Sequence, residues 1–197
     1  MPRFVVCLGN PGAEYSTTRH NVGWWLGDRL AEVWGLGRFR REGDAAVAGG
    51  RVDGTDVRLI KPLTYMNRSG EVLSPLCRLD GFDPSRDLLI VVDDVALEPG
   101  RARFRAAGSA GGHNGLKSVE AALGTRDYAR LRIGVGARPP GVDLVDWVLG
   151  SPSREDRQAI MALFPDLADC VASWITEGIE TAMNRCNPGV GREMVED

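Results

Sequence analysis

The sequence predicts a single α/β domain with a mixed, mostly parallel twisted sheet flanked by helices, on three observations. Short apolar runs alternate with amphipathic helical patterns along the chain, as strands and helices do in layered α/β proteins. The run Leu88-Leu89-Ile90-Val91-Val92 is apolar at every position, as a central strand buried on both faces requires. No internal repeat, low-complexity segment or linker divides the 197 residues, a length that one domain fills with a full core.

Each element has its own signal. Residues 4–8 form an apolar first strand that runs into the turn Gly9-Asn10-Pro11-Gly12. Over residues 21–35, Val22, Trp25, Leu26, Leu30, Val33 and Trp34 share one helical face, with Asn21 as the expected N-cap. Residues 45–52 and 57–61 are strand-like, and 67–79 form a helix on Val72, Leu73, Leu76 and Leu79. After the strand at 88–92, Arg101, Arg103 and Arg105 alternate, which in a strand puts all three on one face. A helix at 114–123 carries Leu116, Val119 and Leu123. A strand at 128–135 presents Arg130 and Arg132 together, residues 136–141 form a Gly/Pro loop, and a last helix covers about 167–184. Residues 187–197 read as a frayed tail.

Composition is that of a globular protein, 43% apolar and 26% charged, with no run of about 18 apolar residues to span a membrane. Met1-Pro2-Arg3 leads straight into the first strand, without a signal-peptide or transit pattern, so a cytoplasmic location is expected. The four cysteines, Cys7, Cys77, Cys170 and Cys186, are widely spaced and read as buried reduced thiols. Two histidines and no cysteine cluster argue against structural zinc, whereas a carboxylate-held Mg²⁺ stays open. The net charge of −3 speaks against a nucleic-acid partner, but its distribution does not. Residues 101–138 hold eight basic and two acidic side chains, and the rest of the C-terminal part holds four basic and eleven acidic ones. A local basic patch binds phosphate whatever the total charge.

The polar residues that stand out fall at element ends: Asn10 and His20 after the first strand, Asn67 at a helix start, Asp93 after the central strand, and Asn114 at another helix start. Ligands of open α/β sheets bind beyond the carboxyl ends of the strands, so one crevice would collect all five. His20 and Asp93 form a base and its orienter: a carboxylate on one ring nitrogen fixes the tautomer and supports the imidazolium that forms at the other. The plainer alternative is a packed histidine and a strand-end turn aspartate. The asparagines offer donors and acceptors without charge, which suits a peptide-like or ester ligand, although each alone is a common turn residue. Gly-x-Ser-x-Gly is absent, and Ser109, in Ala107-Gly108-Ser109-Ala110-Gly111, makes a nucleophile only by its order after His20 and Asp93. Direct attack by a His20-activated water fits the inventory better. The glycine-rich 108–115 segment lacks a Walker Gly-Lys-Ser/Thr ending. With the arginine rows on either side it makes a phosphate-binding surface, the alternative being a solvated strand face.

Taken together, these blocks resemble the bacterial-type peptidyl-tRNA hydrolase family. The resemblance runs through Leu8-Gly9-Asn10-Pro11-Gly12 to Tyr15, Thr18-Arg19-His20-Asn21-Val22-Gly23 and Lys61-Pro62-Leu63-Thr64-Tyr65-Met66-Asn67-Arg68-Ser69-Gly70. It continues through Val92-Asp93-Asp94, Gly111-Gly112-His113-Asn114-Gly115-Leu116-Lys117-Ser118 and Arg130-Leu131-Arg132-Ile133-Gly134-Val135-Gly136. The set in this order is highly specific. It implies a monomeric esterase without metal or cofactor that cleaves the ester between a peptide and the terminal ribose of tRNA. By the same resemblance, His20 is the general base, Asp93 its support, and Asn10 the residue that separates blocked from free aminoacyl ends. Tyr15, Tyr65, Met66, Asn67, Gly112 and Asn114 are implied as substrate contacts, and Arg103, Arg105 and Arg132 as contacts to the tRNA backbone. The chain departs from the family pattern at Val92-Asp93-Asp94, where His-Asp-Glu is common, and at Ala137, which is inserted before Arg138-Pro139.

Overall fold

The structure, a computed structural model, describes residues 1–187. Seven strands, β1 (Arg3–Cys7), β2 (Arg40–Glu42), β3 (Ala45–Val52), β4 (Thr55–Pro62), β5 (Leu88–Asp94), β6 (Ala102–Arg105) and β7 (Ala129–Gly134), form one sheet in the order β2-β3-β4-β1-β5-β7-β6. The four central strands β4, β1, β5 and β7 are parallel; β2 and β3 on one side and β6 on the other pair antiparallel. Eight α-helices follow in chain order: α1 (Val22–Val33), α2 (Ser74–Cys77), α3 (Pro84–Asp87), α4 (Asn114–Leu123), α5 (Leu144–Leu149), α6 (Arg154–Ala162), α7 (Phe164–Glu177) and α8 (Ile179–Cys186). Short 3-10 helices cover Ala13–Tyr15, Arg19–Asn21 and Met66–Leu73.

Strand side chains alternate between two cores, as the two-residue period demands. Val5, Cys7, Leu59, Leu89, Val91, Leu131 and Ile133 face α1 and α7, where Leu26, Leu30, Val171 and Trp174 meet them. Phe4, Val6, Leu8, Ile60, Leu88, Ile90 and Val92 face the opposite way, onto Leu73, Leu76, Leu116 and Val119 of the Met66–Leu73 turn, α2 and α4. All of Leu88–Val92 is buried, as its unbroken apolar run predicts.

Several expectations are corrected. Asn21 does not cap α1 with its side chain; it bonds the backbone of Asn10 instead. The 67–79 helix is a 3-10 stretch through Leu73 and then a single α-turn that has Pro75 near its start. The last helix is broken at Gly178, whose φ of 92° turns α8 back onto α7. That reversal brings Cys170 and Cys186 into a disulfide with Cα atoms 6.1 Å apart. One continuous helix would hold them about 24 Å apart. The expectation of four buried thiols therefore holds only for Cys7, since Cys77 is exposed. Burial pushes the Cys7 thiol up to about 12.

The stretch Arg154–Glu177 is long and apolar enough to cross a membrane. It is two helices, however, and Phe164, Leu167, Val171, Trp174 and Ile175 place its apolar surface in the core against the sheet. Asn187 is not frayed: it donates to and accepts from the backbone of Phe104, on the edge strand β6. The remainder of the expected tail lies outside the described residues.

Candidate active site

The carboxyl ends of β1 and β5 build the floor of a cleft. The start of α1 lies hard against both: a Cβ on Gly23 would sit 2.5 Å from the Leu8 carbonyl and 2.8 Å from that of Val91, so only glycine permits the approach. The turn Arg19–Asn21 is thereby carried over the end of β5, and His20 Nδ1 comes 2.8 Å from Asp93 Oδ1. Both side chains are buried. Burial opposes ionisation of Asp93, yet its interactions with His20 and His113 outweigh it and hold the carboxyl well below the usual range. Burial likewise opposes protonation of His20, and the Asp93 charge and hydrogen bond outweigh that, raising the imidazole above its ordinary value. With Nδ1 donating to the carboxylate, Nε2 keeps the free lone pair of a base.

Asn10 is fixed by three bonds. Its N–H donates to Asn21 Oδ1 at 2.9 Å, its carbonyl accepts from Asn21 Nδ2 at 2.9 Å, and its Oδ1 accepts from the Met66 N–H at 2.7 Å. The Asn10 amide is thus left with its Nδ2 donors for a ligand acceptor. Asn67 follows Met66 on the Met66–Leu73 turn, and Asn114 opens α4; both are exposed and line the cleft. Tyr15 and Tyr65 meet edge-to-face at the rim, with ring centroids 6.4 Å apart. Gly112, at φ 87°, supplies the left-handed turn that aims His113 inward.

The opposite wall is apolar: Leu144, Val145, Val148 and Leu149 of α5. Arg19, beside His20 in sequence, holds this helix. Its guanidinium lies 3.5 Å from the centroid of the Trp147 ring and donates to the carbonyls of Trp147 and Ser151 at 3.2 and 3.0 Å, while its N–H bonds Gly150. The cleft encloses about 280 Å³, room for an ester and its neighbouring groups but not for a macromolecule.

The structure brings Asn10, Tyr15, His20, Tyr65, Met66, Asn67, Asp93, Gly112, Asn114 and Arg132 to this one cleft. Arg103 and Arg105 lie outside it, on β6, directly opposite Arg132 and Arg130 of β7, so these four share a face, whereas Arg101, expected in the same row, precedes the strand. Arg130 is no surface cation. It is 1% exposed, lies 4.1 Å from the Tyr128 ring and donates to the carbonyls of Ser109 and Arg126. Arg132 Nε lies 2.8 Å from Asp94 Oδ2 as an ion pair, although its N–H is not aimed for a hydrogen bond. Arg138, after the inserted Ala137, donates to the Val142 carbonyl within its own loop. Ser109 is exposed and does not line the cleft, which removes the serine-nucleophile alternative.

Sequence reasoning missed His113 as a site residue and missed the α5 wall. His113 Nε2 lies 2.9 Å from the same Asp93 oxygen that holds His20. The signal available was Gly112-His113-Asn114 just ahead of a helix. His20, Asp93 and His113 are close enough together to hold a metal ion. His20 Nδ1 and His113 Nε2 are already engaged with the Asp93 carboxylate, however, and His113 Nδ1 accepts from the N–H groups of Gly115 and Leu116, so its Nε2 carries a proton and not a lone pair.

The fold and cleft define an open α/β protein with a histidine–carboxylate centre and an amide-lined pocket at the carboxyl ends of its central strands. The family model for peptidyl-tRNA hydrolase matches residues 4–195. A peptidyl-tRNA hydrolase of Gemmatimonas aurantiaca is 47% identical over 92% of this chain and 97% of its own. One of Symbiobacterium thermophilum is 46% identical over 95% and 100%. The crystal structure of peptidyl-tRNA hydrolase from Acinetobacter baumannii superposes with a TM-score of 0.88 at 32% identity, covering 95% of both chains. The chain belongs to the peptidyl-tRNA hydrolase family.

Proposed function

We propose that the protein hydrolyses the ester that joins a peptide to the terminal ribose of tRNA, with His20 as general base. The observation that carries this reading is the His20–Asp93 hydrogen bond at the floor of a cleft that the amides of Asn10, Asn67 and Asn114 also line. His20 Nε2 takes a proton from water, and the hydroxide-like oxygen adds to the ester carbonyl carbon. Collapse of the tetrahedral adduct breaks the bond from acyl carbon to ribose oxygen, and the imidazolium returns its proton to that oxygen. The products are a peptide carboxylic acid, which ionises, and tRNA with a free hydroxyl. Asp93 stabilises the imidazolium in between. The donors of Asn10, Asn67 and Asn114 suit the carbonyl oxygens of a blocked aminoacyl end, where a free ammonium would meet donors in place of acceptors. The α5 wall takes the adjoining apolar surface of the peptide. The tRNA body lies outside, along the β6–β7 arginines. We place the enzyme in the cytoplasm as a monomer.

The test is hydrolysis of an N-blocked aminoacyl-tRNA beside its unblocked counterpart, with wild type and His20→Ala. Expected are cleavage of the blocked substrate only, and a loss in His20→Ala on the order of 10²–10⁴-fold with tRNA affinity retained. Near-normal turnover by His20→Ala would remove the mechanism.

A further inference from the structure

Both histidines of the chain converge on one carboxylate oxygen. His20 Nδ1 and His113 Nε2 lie 2.8 and 2.9 Å from Asp93 Oδ1, and the two rings are 5.0 Å apart between centroids. The protonation of His113 follows from its other nitrogen. His113 is the N-cap of α4, and its Nδ1 accepts from the backbone N–H groups of Gly115 and Leu116 at 3.1 and 3.3 Å. A backbone N–H is always a donor, so Nδ1 must be unprotonated and Nε2 must hold the hydrogen. His113 therefore presents its Nε2–H to Asp93.

We propose that His113 is a positioning residue that acts through Asp93: its Nε2–H divides the carboxylate between two imidazoles and so sets the pH below which His20 stops being a base. A carboxylate oxygen that already accepts one N–H holds a second more weakly than it would alone. Two His20 states compete at this oxygen, and the imidazolium gains most from it. His113 stabilises the bare carboxylate and thereby reduces what Asp93 returns to the protonated His20. The other charged or titratable groups around the pair do not act in its place. Asp94 of β5 is engaged by Arg132 of β7, Arg19 is directed to α5, Tyr15 and Tyr65 stand at the rim, and α4 brings Asn114 but neither Lys117 nor Glu120 into the cleft.

The inference rests on the proposed role of His20, and its test has one arm independent of turnover. His113→Asn keeps a side-chain acceptor for the cap of α4, because asparagine is among the preferred N-caps, but is too short to donate to Asp93. The acid limb of its kcat/KM profile is expected to move up by about half to one pH unit, so activity falls several-fold on the limb and recovers on the alkaline plateau. The His20 ring, followed by NMR in the resting enzyme, should titrate higher by the same interval. A uniform loss at every pH with an unmoved His20 titration, or a shift to lower pH, overturns the proposal. In the unmodified protein, nitrogen shifts should report an unprotonated Nδ1 and a protonated Nε2 on His113; the reverse tautomer also overturns it. If His20→Ala keeps its activity, the base assignment falls, while the ring titration still reads the coupling.

Discussion

At Asp93, burial and hydrogen bonding pull in opposite directions, and the outcome decides the pH at which the site works. Removing its charge in Asp93→Asn leaves burial of His20 unopposed, so the imidazole drops below its ordinary value. In the wild type the raised His20 is neutral, and so a base, only above the usual histidine range of about 6.5. Activity is therefore expected to fall with pH along a limb that lies above the ordinary histidine value. In Asp93→Asn the acid limb of kcat/KM moves to lower pH while the plateau falls on the order of 10²–10⁴-fold, since the imidazolium loses its support. A limb that moves upward contradicts the assignment. The stability linkage has the opposite sign. A raised histidine contributes stability below its unfolded value and loses it as pH rises through the folded one, so the pair stabilises the fold most where the enzyme works least. At this scale much of the site was legible: Asn10, His20, Asp93 and Asn114 are polar residues at element ends, where a sheet of parallel strands collects them. His113 was not, because a histidine before a helix reads as a cap, and it is one; its second bond is visible only in three dimensions.

Among the elements, α5 is the one the sequence concealed. Leu144–Leu149 is a six-residue helix between two Pro- and Gly-containing loops, too short for a helical period to stand out. It earns its place through tertiary bonds: the Arg19 guanidinium on Trp147, the Trp147 Nε1 donating to the Gly136 carbonyl at 2.9 Å, and Thr17 Oγ1 against Ser151 Oγ at 2.8 Å. The break at Gly178 escaped notice because the apolar period continues from α7 into α8, and with it went the Cys170–Cys186 bridge. By contrast, α4 and the five apolar strands were legible, since their periods are clean and both cores need them. The Arg19 clamp can be tested. Arg19→Leu should release α5, raising KM for a blocked aminoacyl substrate about tenfold, roughly 1.4 kcal/mol, with kcat held within a few-fold. The interactions lost, two charge-assisted hydrogen bonds and a stacked cation, are worth enough to supply it. A fall in kcat at constant KM would instead show that Arg19 serves the His20 turn and not the wall.

Over the whole molecule, an acidic protein has to hold a polyanion. The net charge of −3 is spread so that the basic residues concentrate on β6, β7 and their flanks. The sequence located this concentration correctly but overcounted it, because a strand pattern cannot tell a solvated arginine from one folded under the neighbouring helix. Arg130 is buried on Tyr128, and Arg132 is paired with Asp94, which leaves half-buried Arg103 and exposed Arg105 as the freer cations of the four. Reversing both, Arg103→Glu with Arg105→Glu, should weaken tRNA binding mainly at low salt. Each phosphate contact contributes roughly 0.7–0.9 to the slope of log affinity against log salt. Loss of two therefore flattens that slope by about 1.5, and the gap between variant and wild type narrows as salt rises. A cleft of about 280 Å³ separates this effect from the chemistry. A blocked aminoacyl ester of a single nucleoside reaches His20 without touching β6, so both proteins should cleave it at the same rate. A deficit that ignores salt, or that persists on the small ester, would mean that these arginines support the fold of β6 and do not grip the tRNA backbone.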